Sequence, residues 1–141
     1  MNIVTYFRNS PEFEIGYNIR VDVFVKEQGV PIEAEMDEYD DIATHVLLYD
    51  NDEPAACGRI VFKDDHAVMG RIAVARDKRG KNFGRLICEK LIDIAIENKA
   101  NKIILHAQCY AIPFYEKVGF VAEGEVFDED GIDHRKMVQK L

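Results

Sequence analysis

Residues 76–85 read Arg-Asp-Lys-Arg-Gly-Lys-Asn-Phe-Gly-Arg and join a predicted strand to a predicted helix. This stretch holds five cations and two glycines, although the whole chain has a net charge of -8. A glycine-bearing turn at a helix N-terminus leaves backbone N–H groups exposed, and the helix dipole favours an anion there. The stretch therefore predicts an anion-binding site, against the alternative of a solvated basic loop that caps an ordinary helix.

The turn does not match the common nucleotide-binding loops. A P-loop ends in Gly-Lys-Ser/Thr, and a dinucleotide-binding turn needs three glycines, whereas this turn ends in Asn82-Phe83-Gly84-Arg85. It resembles the pyrophosphate loop of the GNAT acetyltransferases, Gln/Arg-x-x-Gly-x-Gly/Ala, with Asn82 in place of the first glycine. Asparagine adopts left-handed backbone more readily than most residues, so the replacement is conservative.

Two further segments extend the resemblance over nearly the whole chain. Residues 113–120 (PFYEKVGF) follow a predicted strand and look like the late signature of the family, a short tyrosine-bearing helix that ends at Gly-Phe. Residues 23–31 (VFVKEQGVP) are similar to a small bacterial subgroup of the family. Tyr115 alone is typical of a core aromatic residue. Its pairing with the loop at 79–84 favours a catalytic role.

The predicted elements follow the order β-α-β-β-β-α-β-α-β-β within a single N-acetyltransferase domain, residues 1–141. This order predicts an α/β (α+β) protein with a mixed, mostly antiparallel central sheet of six to seven strands flanked by helices. The resemblance identifies this architecture as the GNAT acyl-CoA N-acyltransferase fold. Ser10 is the predicted N-cap of the first helix. We predict strands at 2–7, 43–49, 55–62, 67–75, 102–108, 120–127 and 134–139, and helices at 11–27, 83–98 and 111–118.

Composition limits the class of protein. The N-terminus lacks a signal-peptide pattern and no apolar run is long enough to span a membrane, which predicts a cytoplasmic protein. The acidic balance argues against nucleic acid as a partner. The three cysteines, Cys57, Cys88 and Cys109, show no metal-ligand spacing, so we expect inert thiols and no metal.

The resemblance implies an acetyl-CoA-dependent N-acetyltransferase that acts on a small-molecule or peptide amine. The pantetheine arm would pair like an extra strand with the predicted strand that ends near residue 75. Tyr115 would be the general acid that protonates the departing CoA thiolate. Tyrosine has an ordinary pKa near ~10 and a thiol one near ~8.5, so this transfer is uphill unless the thiolate is poorly solvated. The implied cofactor-binding residues are Ile72, Ala73, Val74, Arg79, Gly80, Lys81, Asn82, Phe83, Gly84, Arg85 and Gln108.

The sequence does not identify a general base. Family members often carry a carboxylate just before the cofactor strand, but this chain has Met69-Gly70-Arg71 there. His45 and His106 are each either a base or a hydrogen-bonded structural histidine, and a water chain is a third alternative. We expect Arg71 to pair with a neighbouring carboxylate rather than with an acidic substrate.

Several functional alternatives stay open at the level of sequence. Six acidic residues between 33 and 41 either steer a cationic amine or form a solvated charge run. The missing carboxylate leaves a non-catalytic acyl-CoA sensor or scaffold as the alternative function. Polyamine, aminoglycoside, amino-sugar and peptide acceptors are all compatible with the sequence, as are a longer acyl donor and a homodimer.

Overall fold

The computed structural model describes residues 1–141 and contains one seven-stranded, mostly antiparallel sheet with helices on both faces. This architecture confirms the predicted fold class. The helices are α1 (Glu12–Arg20), α2 (Ile32–Glu35), α3 (Phe83–Glu97) and α4 (Ile112–Lys117). The strands are β1 (Asn2–Tyr6), β2 (Thr44–Asp50), β3 (Glu53–Phe62), β4 (Ala67–Val74), β5 (Lys102–Gln108), β6 (Val121–Glu129) and β7 (Ile132–Lys140).

The sheet order is β1-β2-β3-β4-β5-β7-β6, and β4 and β5 form its one parallel pair. These two strands pair only through Ala67 with Ile103 and Val68 with Ile104. Beyond Val68 they separate, so the backbone of β4 has no partner on that side. The separation opens the sheet at its centre and creates the cleft described below.

Apolar side chains cover both faces of the sheet, with α3 and α4 on one face and α1 on the other. Gly58 of β3 lets α3 approach closely, because a Cβ atom there would lie 2.8 Å from Cγ2 of Ile87. None of the helices has the length and apolar character needed to cross a membrane.

Two hairpin turns are tighter than predicted. The predicted strands leave residues 50–54 and 128–133 for these turns, but only Asn51-Asp52 and Asp130-Gly131 leave the strands. All four residues have positive φ, between 50° and 81°. This is the conformation of two-residue type I′ turns, which match the twist of the flanking strands. Because the second turn is tighter, β6 extends to Glu129 and β7 begins at Ile132, so both strands exceed their predicted bounds.

The first helix also departs from the prediction. Pro11 occupies the N-cap position, and the Ser10 hydroxyl instead accepts a hydrogen bond from the backbone N–H of Phe7 at 3.3 Å. After Arg20 the helix widens into a π-helix over Val21–Glu27. Helical periodicity in the sequence does not distinguish the two forms. The π-helical segment forms one wall of the central cleft.

Candidate functional site

The separation of β4 and β5 produces a cleft of about 1230 Å³. It brings together Tyr115 and all of the predicted cofactor-binding residues except Lys81. The Lys81 ammonium lies outside the cleft, 3.6 Å from Oδ2 of Asp50. Residues separated by more than forty positions therefore meet at one place in the fold.

The start of α3 presents free backbone donors to this cleft. Gly80 and Asn82 both have left-handed backbone, with φ of 83° and 65°, as expected of an asparagine that replaces a glycine. The first hydrogen bond within the helix runs from the N–H of Leu86 to the carbonyl of Asn82 at 3.1 Å, and no side chain caps the end. The N–H groups of Phe83 and Gly84 therefore lack acceptors at the positive end of the helix dipole. Such a turn is suited to an anion.

The cations of the loop are largely paired within the protein. Arg79 makes two 2.7 Å hydrogen bonds to Glu27, which lower the pKa of that carboxyl, and a third to the carbonyl of Val74. Lys78 donates to Glu53 at 2.9 Å. The ion pair between Arg79 and Glu27 ties the loop to the π-helical segment. Backbone donors therefore supply most of the free anion-binding capacity here.

Two glutamines of the cleft lining hydrogen-bond to each other. Gln108, at the end of β5, donates through Nε2 to Oε1 of Gln28 at 2.7 Å. Gly84 allows the start of α3 to pack closely, because a Cβ there would lie 3.3 Å from Phe114 and 3.5 Å from Val74. These contacts fix the spacing between the α3 terminus and the strand ends.

Tyr115 lies on α4 with its ring half-buried. The ring packs edge-to-face on Phe114 and Phe120, with centroid distances of 5.0 and 6.1 Å. No protein group hydrogen-bonds to its hydroxyl, which distinguishes it from a core tyrosine with a satisfied hydroxyl. Burial raises the pKa of Tyr115, so the hydroxyl keeps its proton at neutral and alkaline pH.

The acidic residues between 33 and 41 divide into a buried, arginine-paired group and an exposed group. Arg20 donates from Nε to Glu35 at 2.7 Å and from Nη1 to Asp40 at 2.8 Å. Asp40 also accepts from Arg59 at 2.8 Å, and both Glu35 and Asp40 are buried. For Glu35 and Asp40 the expectation of a solvated charge run is wrong, because each is paired with an arginine that is distant in the sequence. Glu33, Glu38 and Asp41 stay exposed.

Arg71 joins this buried cluster to β4. It sits in a bulge of β4 with φ of 52°, opposite the irregularity between Cys57 and Arg59. Its Nη2 donates to Oδ2 of Asp37 at 3.1 Å, and its Nε donates to the carbonyl of Glu35 at 3.2 Å. The pairing of Arg71 with a neighbouring carboxylate is confirmed. The bulge therefore anchors the α2 segment against the wall of the cleft.

The arginine pairs of Asp40 predict an acid-sensitive contribution to stability. Burial opposes ionisation, but hydrogen bonds and positive charge from Arg20 and Arg59 outweigh it and lower the pKa of Asp40 to about 2, from an ordinary value of 3.8. Because the folded-state pKa is the lower one, the stabilisation is complete well above pH 4 and is lost as the pH falls toward 2. It amounts to about 2 to 3 kcal/mol in total.

Urea unfolding of the wild type and of Asp40→Asn tests this contribution. We expect the difference in unfolding free energy between them to shrink by about 1 kcal/mol between pH 6 and pH 3. A difference that does not change with pH would contradict the assignment.

His45 is a structural histidine. It is buried on β2, its Nε2 lies 3.1 Å from the carbonyl oxygen of Asp40, and its ring stacks on Tyr6. Burial lowers its pKa, and it does not line the cleft. Burial likewise raises the pKa of Cys57 and of Cys88 to about 12, as expected of inert thiols.

Three comparisons place the chain among known proteins. A family model described as an acetyltransferase (GNAT) domain matches residues 16–141. The uncharacterized N-acetyltransferase YjcF of Bacillus subtilis (strain 168) is 35% identical over 133 residues, which cover 94% of this chain and 95% of YjcF.

Two crystal structures share the fold over nearly their full lengths. Escherichia coli ElaA superposes with a TM-score of 0.87 at 28% identity, covering 99% of this chain and 100% of that one. An acyl-CoA N-acyltransferase from Pseudomonas aeruginosa also gives a TM-score of 0.87, at 25% identity and 98% coverage of each chain.

Proposed function

Because the chain belongs to the GNAT acetyltransferase family, we propose that it is an acetyl-CoA-dependent N-acetyltransferase that acts on an amine. One observation carries the proposal: the uncapped start of α3 and the unpartnered hydroxyl of Tyr115 line the same cleft. An anion site next to a protonated acid is the combination that cleavage of an anionic thioester donor requires.

The residues of the cleft are suited to each part of the donor. The N–H groups at the start of α3 and the left-handed turn before it would hold the pyrophosphate. The backbone of Ile72, Ala73 and Val74 has no β5 partner, so it is free to pair with the two amides of the pantetheine arm. Gln108 would contribute a side-chain amide from the end of β5. Acetyl-CoA supplies an activated acetyl group as its thioester.

The chain's own groups then act on the charges that develop. A backbone N–H near Val74 would stabilise the carbonyl oxygen of the acetyl group as negative charge builds there. Tyr115 would deliver its proton to the departing sulfur. Burial keeps that hydroxyl protonated throughout the physiological pH range. It also makes the hydroxyl a weaker acid, so the transfer depends on a thiolate that is poorly solvated in the cleft.

A thiol-release assay tests the reaction. Acetyl-CoA is incubated with spermidine, kanamycin, glucosamine and a short peptide with a free N-terminus, and release of CoA thiol is followed over time. Acceptor-dependent release above the rate of water hydrolysis is the expected result. Binding of acetyl-CoA without turnover on any of these amines would favour an acyl-CoA sensor instead.

Gly84→Val tests the position of the anion site. The branched side chain meets Phe114 and covers the N–H groups at the start of α3, so the donor would lose one or two charge-assisted hydrogen bonds. We expect the Kd for acetyl-CoA to rise by about 100-fold in isothermal titration. Asp93→Val places the same side chain at an exposed position of α3 and is the matched control. Equal affinities for the two variants would put the pyrophosphate elsewhere.

A further inference from the structure

The cleft contains a histidine–carboxylate pair that the reaction described so far does not use. His106 on β5 lies with its Nδ1 3.1 Å from Oε1 of Glu129 on β6. A carboxylate oxygen only accepts, so Nδ1 is the donor, and in the neutral imidazole Nε2 then keeps its lone pair. No protein group hydrogen-bonds to Nε2, and the side chain is 50% exposed.

The same contacts hold the ring in place. Phe127 packs edge-to-face against His106, with ring centroids 5.0 Å apart. The second oxygen of Glu129 lies 3.6 Å from Nε2 of His134, whose Nδ1 lies 2.7 Å from the carbonyl oxygen of Ile132. Lys136, opposite His106 on β7, is paired with Glu123 at 3.3 Å. The carboxylate is therefore fixed from two sides, and the imidazole has one free nitrogen.

His106 also lies on the correct face of the sheet. On β5, Ile103, Leu105 and Ala107 are buried in the main core cluster with α3, whereas His106 and Gln108 face the opposite side. Two residues along a strand correspond to about 7 Å, so the imidazole lies close to Gln108 at the end of the proposed donor site. His106 is also two residues past Ile104, the last residue of β5 that pairs with β4. It therefore lies where the cleft has opened.

Other titratable groups of the cleft are less suited to accept a proton. Glu35 and Asp37 are held by arginines, and Glu27 is held by Arg79. Both ring nitrogens of His134 face protein oxygens. His66 has a similar pair with the exposed Asp65, but it precedes Ala67, where β4 and β5 are still joined.

We propose that His106 is the general base of the acetyl transfer and that Glu129 is its positioning residue. An amine with a pKa near ~10 is mostly protonated at neutral pH, so it first loses one proton to water and then attacks as the neutral amine. The nitrogen must lose a second proton as the amide forms, and this is the proton that a general base accepts. The amine nitrogen bonds to the acetyl carbon, the carbon–sulfur bond breaks, and its electron pair leaves with the sulfur. Nε2 of His106 takes the proton that the nitrogen loses, and Tyr115 gives one to the sulfur. The proposal rests on the acetyltransferase function proposed above.

His106→Gln and His106→Ala test this role, assayed with the amine of the four-member panel that the wild type acetylates fastest. We expect kcat/KM for the amine to fall by about 100-fold. This is near the lower end of the rate contributions of general bases, because water can partly replace the exposed imidazole of His106. The Kd for acetyl-CoA should stay within about twofold, which also shows that the variants are folded. Added imidazole should restore part of the activity of His106→Ala.

Two further variants separate the base from its support. Glu129→Gln should lower kcat by about tenfold. Added imidazole should not restore this activity, because the imidazole of His106 is still present in the variant but is misoriented. His66→Gln removes the other histidine of the cleft that has a free nitrogen and should leave kcat/KM unchanged. If His106→Ala keeps the full wild-type turnover, the base assignment alone would be overturned. Absence of amine-dependent turnover in the wild type would overturn the proposed function and the base together.

Discussion

Arg20→Met is expected to lower the free energy of unfolding by about 3 to 5 kcal/mol. Arg20 is buried and donates hydrogen bonds to Glu35 and Asp40, which are buried as well. Burial alone already raises the pKa of Glu35 despite the nearby arginine. Without Arg20, two carboxylates would lie in the interior with part of their compensation removed, and urea unfolding at pH 7 measures the cost.

Controls show whether the loss comes from uncompensated charge. Lys26→Met removes a cation from the exposed pair with Asp22 and should change stability by less than about 0.5 kcal/mol. Adding Glu35→Gln to Arg20→Met should restore part of the loss, because one unpaired charge is removed. A loss below about 1 kcal/mol in Arg20→Met would mean that the cluster contributes little to stability.

Tyr115→Phe is expected to lower kcat by about 100-fold to 10,000-fold while the KM for acetyl-CoA changes little. The change deletes only the hydroxyl, and the ring contacts to Phe114 and Phe120 remain. In the absence of an acid the sulfur must leave as a free thiolate inside a poorly solvated cleft. Steady-state kinetics with the fastest amine of the panel measure the effect.

The matched control for Tyr115→Phe is Tyr17→Phe, which deletes a tyrosine hydroxyl outside the cleft and should leave kcat unchanged. Burial raises the pKa of Tyr115, so its deprotonation should not produce an alkaline limb in the wild-type profile below about pH 10. Full activity of Tyr115→Phe would contradict the assignment of Tyr115 as the general acid and would mean that its ring serves only in packing.

The features that the sequence predicts correctly are those that depend on residues close together in the chain. The left-handed turn at Asn82 and the start of α3 at Phe83 follow from local backbone preferences and hydrophobic periodicity. Gly119, with φ of 105°, ends α4 as the Gly-Phe signature predicts. These signals lie within a few residues of one another, so no knowledge of the tertiary fold is needed to recognise them.

The features that the sequence did not reveal depend on contacts between distant segments. Arg79 pairs with Glu27, which lies 52 positions earlier, and Gln108 pairs with Gln28 across 80 positions. An acidic residue shows no local sign of which arginine will neutralise it, so the exposed and buried members of segment 33–41 look alike. The β4 bulge at Arg71 is similarly set by its partner strand and by Asp37.

Isothermal titration of the wild-type chain with acetyl-CoA, and in parallel with ATP, tests the central claim most directly. We expect one acetyl-CoA per chain and substantially weaker binding of ATP, because ATP has phosphates for the start of α3 but no pantetheine arm for β4. Absence of acetyl-CoA binding, or equal affinity for the two ligands, would contradict the assignment of the β4–β5 cleft as an acyl-CoA site.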